Sequence, residues 1–203
     1  MKNICTLYLI RHGETEWNVK KLLQGHTDIP LNKKGEIQAR QLARKFAQTH
    51  FDAVFSSDLI RAKRTAEIVT QEKKLAIFTT KALRERNFGQ YEGRSFVQKK
   101  ISTLIGKLEA ETKTIIKEPF ENNEILMMRF STFLRETAVA YLGKTVLIVS
   151  HGGPMRHFLA CLDPEHYREE LGRVRINNLA YFKIKSDGID FFLEEVSGVN
   201  IER

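Results

Sequence analysis

An uncharged apolar run at residues 5–10 ends abruptly at Arg11, His12 and Gly13, and this feature constrains the fold more than any other. The run has the length of a buried strand, and its lack of charge favours a central place in a parallel sheet. In α/β folds, ligands bind in the crevice outside the carboxyl ends of such strands. We therefore expect Arg11 and His12 to lie at the mouth of a binding crevice.

The same pattern recurs near residue 150. The segment TVLIVSHGGP at residues 145–154 begins as a β-branched apolar strand, reaches His151 and Gly152, and then places Pro154 where the first turn of a helix would begin. Histidines as distant in sequence as His12 and His151 can meet only if their two strands are neighbours in the sheet. We predict that these strands are neighbours.

The residue types at the end of the first strand indicate phosphoryl transfer to histidine. A neutral imidazole can attack phosphorus, and the guanidinium of Arg11 can hold two phosphoryl oxygens in a fork. Gly13 lets the backbone and a ligand approach closely. The alternative interpretation is that His12 caps the strand and pairs with an acid.

A second strand and helix supply another cation. Residues 52–57 form a short apolar run, and the polar residues 56–58 are candidate caps for the helix that follows. Arg61 falls in the first turn of this helix, where its guanidinium and the free N–H groups could converge on one anion.

Two acids, Glu85 and Glu92, follow a predicted strand at residues 75–79. A leaving alkoxide must receive a proton, and a carboxyl group is a suitable donor. Glu85 could serve as this donor, or it could form an ion pair with Arg84 or Arg86. The residues alone leave both interpretations open.

Four motifs occur in a characteristic order along the chain: LIRHGETEWN at residues 9–18, SSDLIRAKRTA at 56–66, LRERNFGQYEG at 83–93 and TVLIVSHGGP at 145–154. By these motifs the sequence resembles the histidine phosphatase superfamily. This group includes cofactor-dependent phosphoglycerate mutases, fructose-2,6-bisphosphatases and α-ribazole phosphatases. The resemblance extends from Leu7 to about Val196.

The resemblance implies a role for each motif residue. His12 would accept the phosphoryl group, and Glu85 would protonate the leaving alcohol and later act as general base. The three negative oxygens would be held by Arg11, Arg61 and His151, with His151 as a cationic donor at a helix amino terminus. Glu92 matches a structural residue of the family. The residues implied to line the substrate site are Asn18, Gln24, Gly25 and Gly152; Arg156 is either a further contact or a residue of the helix surface.

The segment at residues 94–124 is interpreted as a cap or lid that decides which substrate enters. Phosphoglycerate mutases carry paired arginines near this region, and this segment has no such pair, which argues against a mutase. Many phosphatases of the group show Gly-Gly-Glu-Ser where this chain has NNEI at residues 122–125. Lys99, Lys100 and Lys107 could recognise a second anionic group or form a solvated helix face.

The composition indicates what class of protein this is and what kind of partner it binds. The 203 residues suit one α/β domain, and the 33 basic against 25 acidic side chains give a net charge of +8. The basic residues are scattered in pairs rather than forming a stripe with aromatic residues, so we expect an anionic small molecule as partner and no nucleic acid. No apolar run reaches membrane-spanning length and none precedes the first strand, which predicts a cytoplasmic protein without membrane contact.

The expected fold is α/β, a three-layer α/β/α sandwich with a mostly parallel mixed sheet, forming a single histidine phosphatase domain over residues 1–203. One helix is predicted at residues 34–49 with Asn32 as its cap, and another at 124–141. A hairpin at 178–184 and 190–196 closes the sheet edge. The side chains expected to be buried include Cys5 and Cys161, Ile37, Leu42, Ala43 and Phe46 of the first helix, and Met128, Phe133, Leu134, Ala138, Tyr141 and Leu142 of the second. His26 is expected in solvent on a loop, and His157 and His166 as ordinary helix residues.

The function predicted from these observations is a metal-independent phosphomonoester hydrolase, a histidine acid-type phosphatase that uses a phosphohistidine intermediate and no cofactor. Its substrate would be a small phosphorylated metabolite. The first alternative is a cofactor-dependent phosphoglycerate mutase. The second is a non-catalytic module that binds a phospho-ligand or phosphoprotein, although such a module would not need Glu85. The sequence does not indicate an oligomeric state.

Overall fold

The computed structural model describes residues 3–95 and 121–202, and within them lies a six-stranded mixed sheet. The strands are β1 (Cys5–Arg11), β2 (Ala53–Ser57), β3 (Ile77–Thr80), β4 (Thr145–Ser150), β5 (Val174–Ser186) and β6 (Phe191–Ile201). Their order across the sheet is β3, β2, β4, β1, β5, β6. β1, β2, β3 and β4 pair in parallel, and β5 is antiparallel to both of its neighbours.

The helices of the described residues are α1 (Glu16–Val19), α2 (Lys33–Lys45), α3 (Ile60–Thr70), α4 (Asn123–Ala140), α5 (Gly152–Leu162) and α6 (Pro164–Tyr167). Single 3₁₀ turns lie at Gln71–Lys73, Lys81–Leu83 and Gly89–Tyr91. None of these helices is long and apolar enough to cross a membrane.

The sheet has a hydrophobic core on each face because successive strand residues point to opposite sides. From β1, Leu7 and Leu9 pack with buried side chains of α4 and α5. Ile10 points the other way and packs with buried side chains of α2 and α3. Helices therefore cover both faces, and the predicted three-layer α/β/α fold is confirmed.

The predicted pairing of the two histidine-bearing strands is also confirmed. β1 lies directly beside β4 in parallel, with Arg11 opposite Ser150. The backbone N–H of His12 donates to the carbonyl of Ser150 at 3.0 Å. Both strands therefore end at the same edge of the sheet, and this register fixes where the next residues emerge.

Asparagine side chains begin the two long helices. Asn32 accepts a hydrogen bond from Gly35 N at 2.7 Å, and Asn122 accepts one from Ile125 N at 2.8 Å. Each bond satisfies one of the free N–H groups at a helix start. Asn122 therefore starts α4 at the place where the sequence departs from the Gly-Gly-Glu-Ser pattern.

Some expectations about burial were wrong. Ile37 of α2 is 53% exposed and Met128 of α4 is 62% exposed, while Leu142 lies beyond the end of α4 and is 38% exposed. Leu42, Leu134 and Ala138 are buried as expected, and the two helices also bury Gly35 and Ala39 in α2 and Leu126 and Phe130 in α4. Cys5 is buried as expected, but Cys161 is exposed because it falls on the outer side of α5.

Most of the cap at residues 94–124, with its three lysines Lys99, Lys100 and Lys107, lies outside the described residues. The hairpin is longer than predicted: β5 and β6 pair from Val174 with Ile201 to Ser186 with Phe191.

Candidate active site

The structure brings His12 and His151 together at the carboxyl ends of β1 and β4. Their ring centroids lie 5.0 Å apart, and the rings are inclined by 60°. His12 is 2% exposed and His151 is fully buried. One phosphate-sized anion can therefore contact both rings.

The hydrogen bonding of His12 defines its tautomer. Its Nδ1 lies 2.7 Å from the carbonyl oxygen of Gly13, and since a carbonyl oxygen only accepts, Nδ1 carries the proton. Burial, with smaller contributions from the cations Arg61 and Arg11, holds the pKa of His12 well below its usual 6.5. His12 is therefore neutral, and its Nε2 carries a lone pair.

His151 has no hydrogen-bond partner on either ring nitrogen among the described residues. Its pKa is also well below 6.5, because of burial and then because of Arg61, His12 and Arg11. His151 is therefore neutral as well, and its role as a cationic donor to a phosphoryl group stays a prediction. A neutral imidazole still carries one N–H, which a bound anion can accept.

Arg11 lies against the start of α5. One of its Nη atoms donates to the carbonyl of Ile176 on β5, and its Nε is buried without a partner among the described residues. A Cβ on Gly152 would lie 3.3 Å from this Nε, so glycine leaves room for the guanidinium. Burial lowers the pKa of Arg11 to about 10, and Arg11 is therefore a cation at neutral pH.

Arg61 is fully buried in the first turn of α3, as its position in the sequence predicts. Its two Nη atoms donate to the carbonyls of Thr27 and Gly25 at 2.9 and 2.7 Å. Its Nε has no partner among residues 3–95 and 121–202. Burial lowers the pKa of Arg61 to about 10, so it also remains charged.

The start of α3 differs from the prediction. Ile60 N donates to the carboxylate of Asp28 at 2.7 Å, and Leu59 N donates to Ser57 Oγ at 3.3 Å. Of the predicted cap residues 56–58, Ser57 accepts one of these hydrogen bonds. The other acceptor, Asp28, comes from a different loop. Because Asp28 occupies the Ile60 N–H, that amide is not free to bind an anion.

Glu85 follows the 3₁₀ turn Lys81–Leu83 and points to the start of α5. Its Oε2 accepts a hydrogen bond from Gly153 N at 3.0 Å, and its Oε1 accepts one from Arg86 N at 2.8 Å. The alternative ion pair with a neighbouring arginine is not formed: Arg84 pairs with Asp58 at 2.6 Å, and the Arg86 guanidinium donates to Glu121 O.

An irregularity in β5 places Asn178 beside His12. The pairing with β6 shifts between Ile176 and Tyr181, and Leu179 adopts a positive φ of 58°. Such a bulge re-aims the preceding side chains. Asn178 Nδ2 donates to the carbonyl of His12 at 3.0 Å and to Asn18 Oδ1 at 3.3 Å. The sequence alone assigns no role to Asn178, because nothing in its local pattern marks a bulge.

One cavity of about 720 Å³ is lined by Arg11, His12, Arg61, Glu85 and Asn178. Its walls include four residues of the predicted substrate site or its neighbourhood: Asn18, Gln24, Gly152 and Arg156. Two of these four residues have a buried polar atom without a partner among the described residues: Gln24 at Oε1 and Arg156 at Nε. Gly25 instead lies behind Arg61, and its carbonyl accepts a hydrogen bond from the Arg61 guanidinium.

Glu92 holds the loop that carries Gln24 and Gly25. Its carboxylate accepts backbone hydrogen bonds from His26 at 2.8 Å, Thr27 at 2.8 Å and Phe88 at 3.1 Å. Gly25 has φ +51°, and a Cβ there would lie 2.0 Å from Glu92 Oε1, so only glycine fits. Glu92 therefore has the structural role that the resemblance implies.

His26 is half-buried rather than solvated, contrary to the expectation. Its Nε2 lies 2.9 Å from the carbonyl oxygen of Glu85, and so it joins the loop after β1 to the loop of the acid. His166 is exposed and interacts with Asp163, as an ordinary helix residue does. His157 is buried on α5, and its Nδ1 lies 2.9 Å from Gly153 O.

The fold and the clustered side chains define an α/β protein whose crevice at the strand ends is lined by histidine and arginine. The family model of the histidine phosphatase superfamily (branch 1) matches residues 7–197, and the chain belongs to this superfamily.

Three similar proteins carry informative descriptions. An uncharacterized phosphatase, PhoE of Bacillus subtilis, is 35% identical over 183 residues, which are 87% of this chain and 89% of that protein. The crystal structure of a phosphoglycerate mutase from Bacillus anthracis has a TM-score of 0.81 and 29% identity, with 96% of this chain and 93% of that chain covered. A phosphoserine phosphatase from Entamoeba histolytica in complex with 3-phosphoglyceric acid has a TM-score of 0.74 and 26% identity, with 95% and 96% covered.

Proposed function

We propose that this enzyme hydrolyses phosphomonoesters of small metabolites through a phosphohistidine on His12. The observation that carries the proposal is the neutral His12, whose Nδ1–H is bound to Gly13 O and whose Nε2 lone pair is available. Beside it, Arg11 Nε, Arg61 Nε and both nitrogens of His151 have no partner among the described residues. A nucleophile surrounded by unpaired donors is the arrangement that phosphoryl transfer needs.

In the first step, His12 Nε2 forms a bond to phosphorus as the bond from phosphorus to the leaving oxygen breaks. The negative charge is spread over the three remaining phosphoryl oxygens, which Arg11, Arg61 and His151 hold. These side chains supply the electrostatic stabilisation without requiring a metal ion. Since they are buried and fixed, their contribution is larger than that of solvated groups.

Glu85 gives its proton to the departing alkoxide in the same step. Its carboxyl group is held at the start of α5, where Oε2 accepts from Gly153 N and Oε1 accepts from Arg86 N. In the second step, Glu85 removes a proton from water, the water oxygen bonds to phosphorus, and the bond to His12 Nε2 breaks. Inorganic phosphate and the original His12 result.

Three observations favour a small phosphorylated metabolite as substrate. The cavity of about 720 Å³ has the size of a small-molecule site. The protein has a net charge of +8, which favours an anionic ligand. The similar phosphatase from Entamoeba histolytica was solved with 3-phosphoglyceric acid, a phosphorylated small molecule.

Hydrolysis of p-nitrophenyl phosphate in the presence of a chelator tests the proposal. We expect turnover in the wild type, a phosphoenzyme trapped with labelled substrate, and neither in His12→Ala. His166→Ala is the matched control, because His166 is exposed on α6. We expect it to behave like the wild type.

The same experiment distinguishes the alternatives. A mutase would require a bisphosphorylated primer and convert one phosphoglycerate isomer to another. A binding module would retain phosphate with no turnover over a broad panel of phosphoesters. Either result would replace the proposed hydrolysis.

A further inference from the structure

The loop that carries Glu85 is held by a single guanidinium from another element. Arg129, on α4, donates to the carbonyls of Ala82, Arg84 and Glu85 at 2.8, 2.9 and 3.0 Å. Three carbonyls within four residues of one loop therefore converge on one side chain. The catalytic cavity itself is lined by Glu85, whereas Arg129 contacts this residue only through its backbone.

All five N–H groups of Arg129 have acceptors. Nη1 donates to Ala82 O and Arg84 O, and Nη2 donates to Glu85 O and also to Glu121 Oε2 at 2.8 Å. Nε donates to Glu121 Oε1 at 2.5 Å. A planar guanidinium with fixed donors can satisfy five acceptors at once, whereas a lysine ammonium offers three donors from one point.

Glu121 extends the same connection to the far end of the loop. Its Oε2 accepts from Asn87 N at 3.2 Å, and its own backbone N–H donates to Asn87 O at 3.1 Å. The His26 ring reaches Glu85 O at 2.9 Å from the opposite side. Hydrogen bonds therefore hold the backbone of the Glu85 loop at residues 82, 84, 85 and 87.

α4 is a rigid support for this connection. Leu126 and Phe130, on either side of Arg129 in the sequence, are fully buried in the core. The carboxylate of Glu85 reaches Gly153 N at 3.0 Å, and Gly153 lies at the start of α5, directly after His151 and Gly152. A change in the position of the loop therefore changes the position of the acid relative to the histidines.

We propose that Arg129 is a positioning residue for the general acid: it holds the Glu85 loop so that the carboxyl group reaches the leaving oxygen. This inference rests on the proposed function of Glu85. It predicts a kinetic signature that a purely structural role lacks. A poorly positioned acid lowers kcat/KM most for the substrates whose leaving group most needs a proton.

The test compares wild type, Arg129→Lys, Glu85→Gln and Arg135→Lys on aryl phosphates of graded leaving-group pKa and on one alkyl phosphate. The quantity is kcat/KM, which reports the step that breaks the ester bond. We expect Arg129→Lys to lose about 10- to 100-fold on the alkyl phosphate and less than about threefold on p-nitrophenyl phosphate, since a general acid contributes roughly 10²–10⁴-fold in all. Arg135, on the same helix, donates to Ile189 O on the surface, so Arg135→Lys should match the wild type.

A second measurement does not depend on turnover. The amide ¹H–¹⁵N resonance of Gly153 reports whether the Glu85 carboxylate is bound to it. In Arg129→Lys we expect this resonance to move toward its position in Glu85→Ala, and in Arg135→Lys to stay in place.

The outcomes separate the two levels of the proposal. Equal losses of Arg129→Lys across the whole substrate series, or an unmoved Gly153 resonance, would overturn the positioning role. If the wild type hydrolyses nothing, or if Glu85→Gln loses the same factor on every substrate, the assignment of Glu85 fails instead. In that case the Gly153 resonance alone decides whether Arg129 fixes the position of the carboxylate.

Discussion

His12 and His151 face each other at 5.0 Å, yet their hydrogen bonding differs. His12 is fixed through Nδ1 by the adjacent carbonyl of Gly13, while His151 has no partner on either nitrogen among the described residues. The pairing of β1 with β4 brings them together, and their local bonding separates their roles. In the proposed mechanism, His12 is the nucleophile and His151 is a donor.

This difference predicts different outcomes for two substitutions. His151→Ala removes a donor to the phosphoryl group, so we expect kcat to fall about 10²–10³-fold while a phosphoenzyme still forms slowly. His12→Ala should give no phosphoenzyme at all. Acid quenching and detection of labelled protein measure both. A phosphoenzyme in His12→Ala would contradict the assignment of the nucleophile.

Arg61 both supports the loop at residues 24–28 and lines the cavity. Arg61→Ala leaves the carbonyls of Gly25 and Thr27 without their donor, and removal of the repulsion with Arg11 offsets part of this effect. We expect the free energy of unfolding to fall by about 1–3 kcal/mol and inhibition by phosphate to be lost. Urea unfolding and inhibition assays measure these. The exposed Arg64 on the same helix is the control, since Arg64→Ala should change stability by less than about 0.5 kcal/mol.

Gly153→Ala tests the place of the acid from its other side. A Cβ on Gly153 would lie 2.1 Å from Glu85 Oε1, so the carboxylate must move away. Since the displaced atoms are the end of a flexible side chain, we expect no loss of stability. Turnover of an alkyl phosphate should fall about tenfold or more, with unchanged inhibition by inorganic phosphate. Equal weakening of phosphate binding would show that the effect is not confined to Glu85.

The buried histidines predict a loss of stability in acid. The pKa values of His12 and His151 lie well below 6.5, and burial, aided by Arg156, lowers the pKa of His157 to about 4. In the unfolded chain these groups titrate near 6.5, so below this pH the unfolded state binds more protons. The free energy of unfolding should therefore fall as the pH decreases from 6.5 toward 4, by up to about 1.4 kcal/mol per pH unit for each histidine.

His157→Gln isolates one of these contributions. We expect the ligand-free variant to show a shallower decrease than the wild type between pH 6.5 and 4.5, and the same slope above pH 7. Urea unfolding at a series of pH values measures it. Identical slopes in the two proteins would mean that His157 does not remain neutral in the folded state.

Arg156 lines the cavity, and its Nε has no partner among the described residues, so we expect it to contact substrate. Arg156→Ala should raise KM about tenfold with little change in kcat, because a contact made equally in the ground and transition states affects binding alone. Steady-state kinetics on phosphorylated metabolites measure this. Arg44→Ala, at an exposed position of α2, should leave KM unchanged.

The sequence predicted the elements that place the site, because strong local signals mark them. The apolar runs that end in His12 and His151 became the central strands β1 and β4, and Arg61 lies in the first turn of its helix. Most of the predicted site residues line one cavity. The exceptions are Gly25, which supports Arg61, and His151, which is fully buried with its ring 5.0 Å from that of His12.

Tertiary contacts decided what the sequence pattern missed. α2 packs through Gly35 and Ala39, since a Cβ on Gly35 would lie 2.2 Å from Glu14 O, and this close approach turns Ile37 toward solvent. A count of apolar residues does not detect packing through small side chains. The bulge that presents Asn178 and the long contacts of Arg129 are likewise invisible in the local sequence.

The antiparallel entry of β5 has a consequence for how the protein is made. Ile176 O accepts from Arg11, and Asn178 donates to His12 O. The first strand, β1, and the late strand β5 therefore meet at the proposed anion site. A growing chain therefore lacks the complete site until the ribosome has released residues well past 178. Binding of the proposed substrate can begin to favour the native state only after nearly the whole polypeptide has emerged.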